Sequence, residues 1–380
     1  MIEPDGVTAD PAEEHRFPCD TCGSALRFDP ESLKLVCDHC GNIEDIPGSG
    51  RSTEALRELD FRAALENLLP QTEMEETRVL NCPNCGAHVE FDGAVHSTEC
   101  PFCATPVVTD TGVQRQIKPK GLLPFAMTEG QARAAVGKWL GNLWFAPNGL
   151  QQYARKGRRM NGLYLPYWTF DADTQSQYRG QRGIVYHESR QVSINGKRTT
   201  QSVRKVRWTP ASGRVARFFD DILVVASRSL PEPFRNALGA WDLSSMEPYR
   251  PEFLAGFRAE GYTVQLDDAF VEARQVMDRM IERDVRFDIG GDVQQVHAVE
   301  TQVKDVTFKH ILLPVWMAAY RYRGKTYRIA VNGRSGQVAG ERPYSAWKIA
   351  FAVIALAIVA GIVGYLIALD EGLVMQVQGF

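Results

Sequence analysis

All eight cysteines of this 380-residue chain lie before residue 104, and all eight occur in Cys-x2-Cys pairs. Cys19 and Cys22 are followed by Cys37 and Cys40, and Cys82 and Cys85 by Cys100 and Cys103, with 14 residues between the pairs each time. A Cys-x2-Cys pair on a tight turn aims two thiolates at one point. Two such turns joined by a β-hairpin close a tetrahedral sulfur shell around a metal ion. Gly23 and Gly86 follow the second ligand of each unit, where the backbone must turn back toward the metal, and Phe28-Asp29 and Phe91-Asp92 come six residues after it. The two units are therefore an internal repeat of period 63, each a zinc ribbon with one aromatic expected over the metal.

Three fillings compete for these thiols. Disulfides need an oxidising compartment, which the topology argued below opposes. A rubredoxin-like iron site uses similar knuckles, but no redox-partner motif accompanies them. Structural Zn2+, two ions in all, is the reading we take. With four protein thiolates per ion no coordination position remains for water or substrate, so metal-assisted hydrolysis is not expected. His39, between Cys37 and Cys40, is read as a knuckle residue and not a ligand.

The second constraint is at the other end. From Ile349 to Leu369 the chain runs 21 residues without a charge, and at ~1.5 Å per residue a helix of that length spans about 30 Å of hydrocarbon. Arg342 and Lys348 precede the stretch, Asp370 and Glu371 follow it, and no Lys or Arg comes after. The positive-inside rule then puts the N-terminal bulk in the cytoplasm, beside the inner membrane. Residues 1–10 have neither a basic n-region nor an apolar h-region, so no secretory signal is expected there. Ala357 with Gly361, and Ala360 with Gly364, have the small-xxx-small spacing that permits self-association of membrane helices.

The net charge of −3 conceals a segregation: −15 over residues 1–114, +15 over 115–217 and −3 over 218–380. Two basic clusters stand out, Arg155, Lys156, Arg158 and Arg159, then Lys197, Arg198, Arg204, Lys205 and Arg207. The 115–217 region is thus a candidate for nucleic acid, for anionic lipid, or for docking on the acidic ribbons. Tyr153, Tyr164, Trp168 and Trp208 are aromatics near it, suited either to base stacking or to a core.

The periodicity predicts an α+β multidomain chain. Residues 1–46 form the first ribbon, 47–78 a linker with a helix over Ser52–Leu69, and 79–112 the second ribbon. Residues 113–344 form a mixed, mainly antiparallel β-rich domain with helices, 345–369 the transmembrane helix and 370–380 a short tail. Within the large domain Thr128-x-x-Gln131 is a capping box opening a helix with Val136, Trp139, Leu140 and Leu143 inward. Strands are expected around Leu163–Tyr178, Ile184–Trp208, with a turn at Asn195-Gly196, and Ile222–Ser227. Helices are expected over Glu232–Leu238 and Asp267–Arg283, the latter burying Phe270, Ala273, Met277, Met280 and Ile281. A β-meander over residues 320–338 should turn at Gly324 and Asn332-Gly333. Leu165-Pro166-Tyr167-Trp168 returns 148 residues later as Leu313-Pro314-Val315-Trp316, which reads either as a duplicated half-domain or as a strand entry used twice.

The segments FPCDTCG, HSTECPFCATPVVTDTG, IKPKGLLPFAM, LYLPYWTFDADT, FRAEGYTVQLDDAF, FKHILLPVW and ERPYSAWKIA, with others between them, resemble a bacterial family of TFIIB-type zinc-ribbon membrane proteins. Its members are commonly labelled primosomal protein N′ (replication factor Y) superfamily II helicase. The resemblance implies ribbons and a membrane attachment but no activity that transfers. A helicase needs a GxxxxGK[ST] phosphate loop and a Mg2+ box, and the sequence has neither; GxSxG, HExxH and strand-bound GxGxxG motifs are also missing. Asp220-Asp221 and Asp267-Asp268 are read as structural carboxylates, and His187, His297 and His310 as packed or surface histidines. The expectation is a non-enzymatic, membrane-tethered adaptor that recruits a protein partner, with a membrane-attached nucleic-acid binder related to replication as the alternative.

Overall fold

The computed structural model describes residues 17–47, 56–90, 97–103, 105–108, 111–144, 160–194, 197–239, 241–322 and 325–377. Phe91-Asp92, Tyr153, the cluster Arg155 to Arg159 and the turn residues Asn195, Gly196 and Gly324 lie outside them. The architecture is α+β. The first ribbon is a small antiparallel sheet of β1 (Leu26–Asp29), β2 (Lys34–Cys37) and β3 (Ile43–Glu44). The second is built on β5 (Met74–Asn81), flanked by β6 (His88–Glu90) and β9 (Thr111–Ile117), with β7 (Ser97–Glu99) and β8 (Pro106–Val108) as a separate pair. Its strands extend from Met74 to Ile117.

Between the ribbons the expected helix over Ser52–Leu69 is not formed as such. Residues 48–55 are outside the described set, and Leu59–Asp60 is a short strand, β4, pairing with Phe308 and Thr307. Among the described residues of that stretch, α1 (Phe61–Leu65) is the α-helical part. The Asp60 carboxylate accepts from the Ala63 amide at 2.7 Å, so the helix is capped there and cannot extend backwards.

The large sheet is organised around three strands, β11 (Asn161–Ile194), β12 (Lys197–Val225) and β15 (Val293–Tyr322). The separate strands expected over 163–227 are in fact two continuous ones, of 34 and 29 residues, joined as a hairpin with Ile194 opposite Lys197. Gly180 and Gly183, residues of a type that often interrupts strands, are sites of close approach within this one. A Cβ on Gly180 would stand 2.4 Å from the Gln295 carbonyl oxygen, and one on Gly183 would meet Val293, Val206 and Trp208.

Leu165 lies opposite Leu313 across β11 and β15, so the two LPxW quartets run antiparallel past each other about a local two-fold axis. The contacts around them repeat. β10 (Gly121–Leu122) pairs in parallel with Ile311–Leu312, and β14 (Arg258–Ala259) in parallel with Leu163–Tyr164, 148 residues earlier. Leu123 N donates to Leu312 O and Glu260 N to Tyr164 O, both at 3.0 Å. Trp168 Nε1 donates to Val264 O at 3.0 Å and Trp316 Nε1 to Met127 O at 3.1 Å. Thr128 and Gln265 are the N-caps of α2 (Glu129–Gly141) and α4 (Leu266–Ile289), with α3 (Glu232–Ala237) between. The capping box at Thr128 and Gln131 is present as expected. The domain is thus a duplicated β-α-β-β unit, β10-α2-β11-β12 followed by β14-α4-β15-β16, where β16 is Lys325–Asn332. Each half lends its first strand to the other half's second strand.

The halves differ in one dimension. Their hairpins leave the axis in opposite directions, β15-β16 closing after Tyr322 opposite Lys325, and β11-β12 running on to Ile194. From Leu165 to Ile194 the long arm reaches up to about 95 Å at ~3.3 Å per residue. Helix α4 covers one face of its base with Leu266, Ala269, Ala273, Met277, Ile281, Val285 and Ile289, extending the expected stripe at both ends; Phe270 and Met280 flank it half-buried. The short hairpin is followed by β17 (Val338–Gly340), which pairs with Ile329–Val331, and then by α5 (Ala346–Val377). Within α5 the 21 residues Ala346–Leu366, of mean hydropathy 2.7, are long and apolar enough to cross a membrane and are not buried against protein.

Candidate metal centres and charged clusters

The first knuckle of each ribbon forms because a glycine with positive φ lets the backbone fold over its own sulfurs. Gly23 (φ 73°) donates to Cys19 O at 2.8 Å and Gly86 (φ 72°) to Cys82 O at 2.9 Å, the turn expected after the second ligand. In the first ribbon the Cys19–Cys40 and Cys22–Cys37 sulfur separations are 3.6 and 3.5 Å; in the second, Cys82–Cys103 and Cys85–Cys100 are both 3.6 Å. In each set all four sulfurs lie within 4.8 Å of one another. Sulfurs on a tetrahedron with a Zn–S bond of about 2.3 Å stand roughly 3.8 Å apart, against ~2.05 Å in a disulfide. Both sets therefore fit a four-coordinate metal ion.

The electrostatics agree. The amide and hydroxyl of Ser24 pull Cys22 down to about 6 and the Cys85 thiol holds Cys100 down to about 5, while Cys40 is pushed up to about 12 and Cys82 and Cys85 are also raised. The sulfurs of each cluster thus share protons, and the lowered thiol of each is the readiest ligand. Asn42 Nδ2 stands 3.6 Å from Cys19 Sγ and Thr105 Oγ1 3.1 Å from Cys103 Sγ, outer groups that orient the ligands.

The ribbons are not free heads. Phe28, the aromatic expected over the first site, is fully buried against Phe253 and Phe257, with ring centroids 5.3 and 6.2 Å away, and its amide donates to Ala255 O at 2.9 Å. Cys82, Cys100 and Phe102 share one apolar cluster with Leu163, Leu165, Tyr167 and Leu313. Gly261 N donates to His88 O at 3.0 Å, tying the second ribbon to the residues after β14. The sequence carries no signal for this docking. Phe28 is expected over the metal, and nothing in the sequence marks Phe102 or the ribbon faces as docking surfaces.

A third convergence involves Asp171, Asp220 and Asp221, whose carboxylate oxygens also approach within 4.8 Å. Here the cation is already present. Lys309 Nζ lies 2.9 Å from Glu58 Oε1, 2.9 Å from Asp221 Oδ1 and 3.8 Å from Asp171 Oδ2, its side chain only 7% exposed. Burial pushes Asp171 up to about 7, with the Glu58 carboxyl beside it. Burial also works to raise Glu58, but bonds from Asp171, Thr307 and Lys309 outweigh it and hold Glu58 down to about 2. The Asp220-Asp221 pair lies inside β12 at a bulge, not ahead of a strand as its neighbours suggested; Asp221 has φ 52° and its amide donates to Asp171 Oδ1 at 2.6 Å. Glu58 on the inter-ribbon segment is thereby clamped to the sheet.

The remaining candidates separate by exposure. His187 and His297 are at the surface; His310 is buried, its Nδ1 2.7 Å from Ile117 O and its ring against Trp168 and Tyr262. Tyr164 and Trp168 are fully enclosed and cannot stack on a base, whereas Trp208 is 36% exposed. Arg204, Lys205 and Arg207 are exposed on the far part of β12, and Lys205 pairs with Glu188 on the same hairpin. The second ribbon packs near the Leu163–Tyr167 level, and among the described residues no ion pair joins Arg204, Lys205 or Arg207 to a ribbon carboxylate.

No family model matches the chain, and no solved structure matches it. It is similar to the uncharacterized protein YdjG of Bacillus subtilis (strain 168), 25% identical over 339 residues that cover 88% of this chain and 92% of that protein.

Proposed function

We propose that the protein is a non-enzymatic, single-pass adaptor that recruits a protein partner to the cytoplasmic face of the inner membrane. Two structural Zn2+ ions complete its core, and the long β-arm extends the reach of the domain. The observation that carries this reading is the strand register. α5 begins five residues after β17 at the short-hairpin end of the sheet, and the β11-β12 arm runs the opposite way. Such a molecule has one end for the bilayer and another for something else. Large apolar side chains point out all around α5, among them Phe351, Leu356 and Ile362, which water would not tolerate on an isolated helix. Tyr344 and Trp347 at its start suit a headgroup belt, and Arg342 and Lys348 favour the cytoplasmic orientation. Deleting 346–380 should move the protein to the soluble fraction while it still retains its partner; a truncated form that stays with membranes contradicts simple tethering.

A membrane-attached nucleic-acid binder, related to replication as the family label has it, is the second reading. It draws on the exposed cations of β12, Arg204, Lys205, Arg207 and Arg214. Phosphate neutralisation by four such groups gives a salt slope of about −3 to −4. Binding of duplex or single strands that does not weaken as salt is doubled removes that basis.

A further inference from the structure

β15 begins at Val293 opposite Gly183, so beyond that point β11 loses its neighbour on one side. The last groups on this side are satisfied: Asp292 N donates to Gly183 O at 2.9 Å, and Val185 N donates to Asp292 Oδ2 at 2.7 Å. From His187 onward the same edge presents its amides and carbonyls to solvent, with no strand partner among the described residues. An open edge of this kind is normally blunted by lysines, prolines or bulges. The opposite edge of the hairpin is: β12 carries Lys197, Arg198, Arg204, Lys205, Arg207 and Pro210. The β11 edge is not, and between Val185 and Gln191 it carries one acid, Glu188, and one base, Arg190, with Ile184 and Tyr186 partly exposed beside them.

We propose that this edge pairs with the same edge of a second copy, antiparallel about a two-fold axis at Ser189, fusing two hairpins into one four-stranded sheet. The parity is right. Gly183 and Val185 direct their backbone groups to this side, so residues 187, 189 and 191 do too, and Ser189 meets the partner's Ser189 as a hydrogen-bonded pair with His187 opposite the partner's Gln191. Glu188, which also pairs with Lys205 on its own hairpin, then faces the partner's Arg190 twice, opposite charges directly across the strands. The basic β12 strands become the outer pair, separated by three inter-strand spacings of ~4.8 Å, about 14 Å, which exceeds the ~8 Å Debye length at physiological salt. Their repulsion is therefore largely screened, and their outer faces remain open.

The test uses the full chain in detergent or nanodiscs, loaded with zinc. Ser189→Cys should give an oxidised cross-link joining two chains through residue 189, because paired residues on the axis have Cα atoms about 5.5 Å apart. Ser202→Cys, on the outer strand opposite Ser189, should not. Glu188→Arg or Arg190→Glu alone should weaken the dimer roughly tenfold by light scattering, since like charges then meet twice, and the double exchange should restore it. Unchanged zinc content verifies that the variants fold. A monomer throughout, equal cross-linking at 189 and 202, or a double exchange that fails to rescue overturns the proposal, and a dimer insensitive to all three assigns association to α5 instead. None of these outcomes depends on partner recruitment.

Discussion

Leu165 and Leu313 face each other on antiparallel strands at the centre of the sheet, each fully buried and each the first residue of an LPxW quartet. A residue paired with its own counterpart can only lie on a symmetry axis. Because β10 joins β15 and β14 joins β11, the two halves are interlocked by exchanged strands and neither has a complete sheet alone. Tertiary structure here resembles an obligate dimer enclosed in one chain, so the domain should unfold in a single transition.

The two indole bonds test that symmetry. Trp168→Phe and Trp316→Phe each remove a donor from a carbonyl, that of Val264 or Met127, at equivalent places. Leaving a buried acceptor unpaired costs about 1–3 kcal/mol. Trp168 is the more enclosed and cannot be rescued by water, so its variant should melt lower than the Trp316 variant, both by several degrees in thermal circular dichroism. A neutral Trp316→Phe would mean that only one half bears load.

Lys309 makes a sharper prediction. Lys309→Met strands the carboxylates of Glu58, Asp171 and Asp221 in a buried site, at a cost of about 3–5 kcal/mol. Without the cation Asp171, already held up to about 7 by burial, rises further and Glu58 loses a bond that helps hold it down, so relative to wild type stability is lost as pH rises and regained on acidification. The variant should therefore gain stability from pH 8 to pH 5 relative to wild type, measured by urea midpoints. Parallel curves would show that the cluster is solvated.

What the sequence revealed, and what it concealed, follows from range. The Cys-x2-Cys knuckles, the cap at Thr128 and the apolar stretch of α5 are set by contacts a few residues apart, and all were legible. The length of β11 was not, because Gly180 and Gly183 act locally as breakers while their true reason, the Gln295 carbonyl and the Trp208 ring, comes from other strands. Leu59 joined the expected helix on period alone, yet Lys309, some 250 residues away, draws its neighbour Glu58 to the sheet. The LPxW echo was visible, but only the register of β11 on β15 turned it into an axis. Ribbon docking was the least legible, since the residues that receive Phe28, Phe253 and Phe257, form no motif.

His310 sets an acid limit. Burial lowers its pKa to about 4 from an ordinary value near 6.5, the Ile117 carbonyl opposing the shift only in part. The unfolded chain thus binds a proton that the folded chain refuses between pH 6.5 and 4. Stability from this group is complete above pH 6.5 and falls as pH drops toward 4, by on the order of 3 kcal/mol. His310→Gln should flatten that segment of the stability curve relative to wild type; an unchanged slope would place the titration on other groups.

Metal removal should reach further than the ribbons. A unit of this size cannot bury enough apolar surface to fold alone, and structural zinc supplies on the order of 10 kcal/mol to such modules. Here the same sulfurs also belong to the domain core. Cys82, Cys100 and Phe102 share a cluster with Leu165 and Leu313 at the axis itself, while Phe28 of the first ribbon reaches Tyr164 and Trp316 on the other face of the sheet one layer away, through Phe257. Cys82→Ser with Cys85→Ser should therefore lower the melting temperature of the whole domain more than Cys19→Ser with Cys22→Ser, and mass spectrometry of the native protein should find two zinc ions falling to one in each. Limited trypsinolysis separates the cases: the first variant should open β11 and β15 to cleavage, because losing the second ribbon uncovers the axis, whereas the second should be cut only near residues 17–47. Equal protection of β11 in both would mean that the second ribbon is an appendage, and its burial against Leu165 energetically idle.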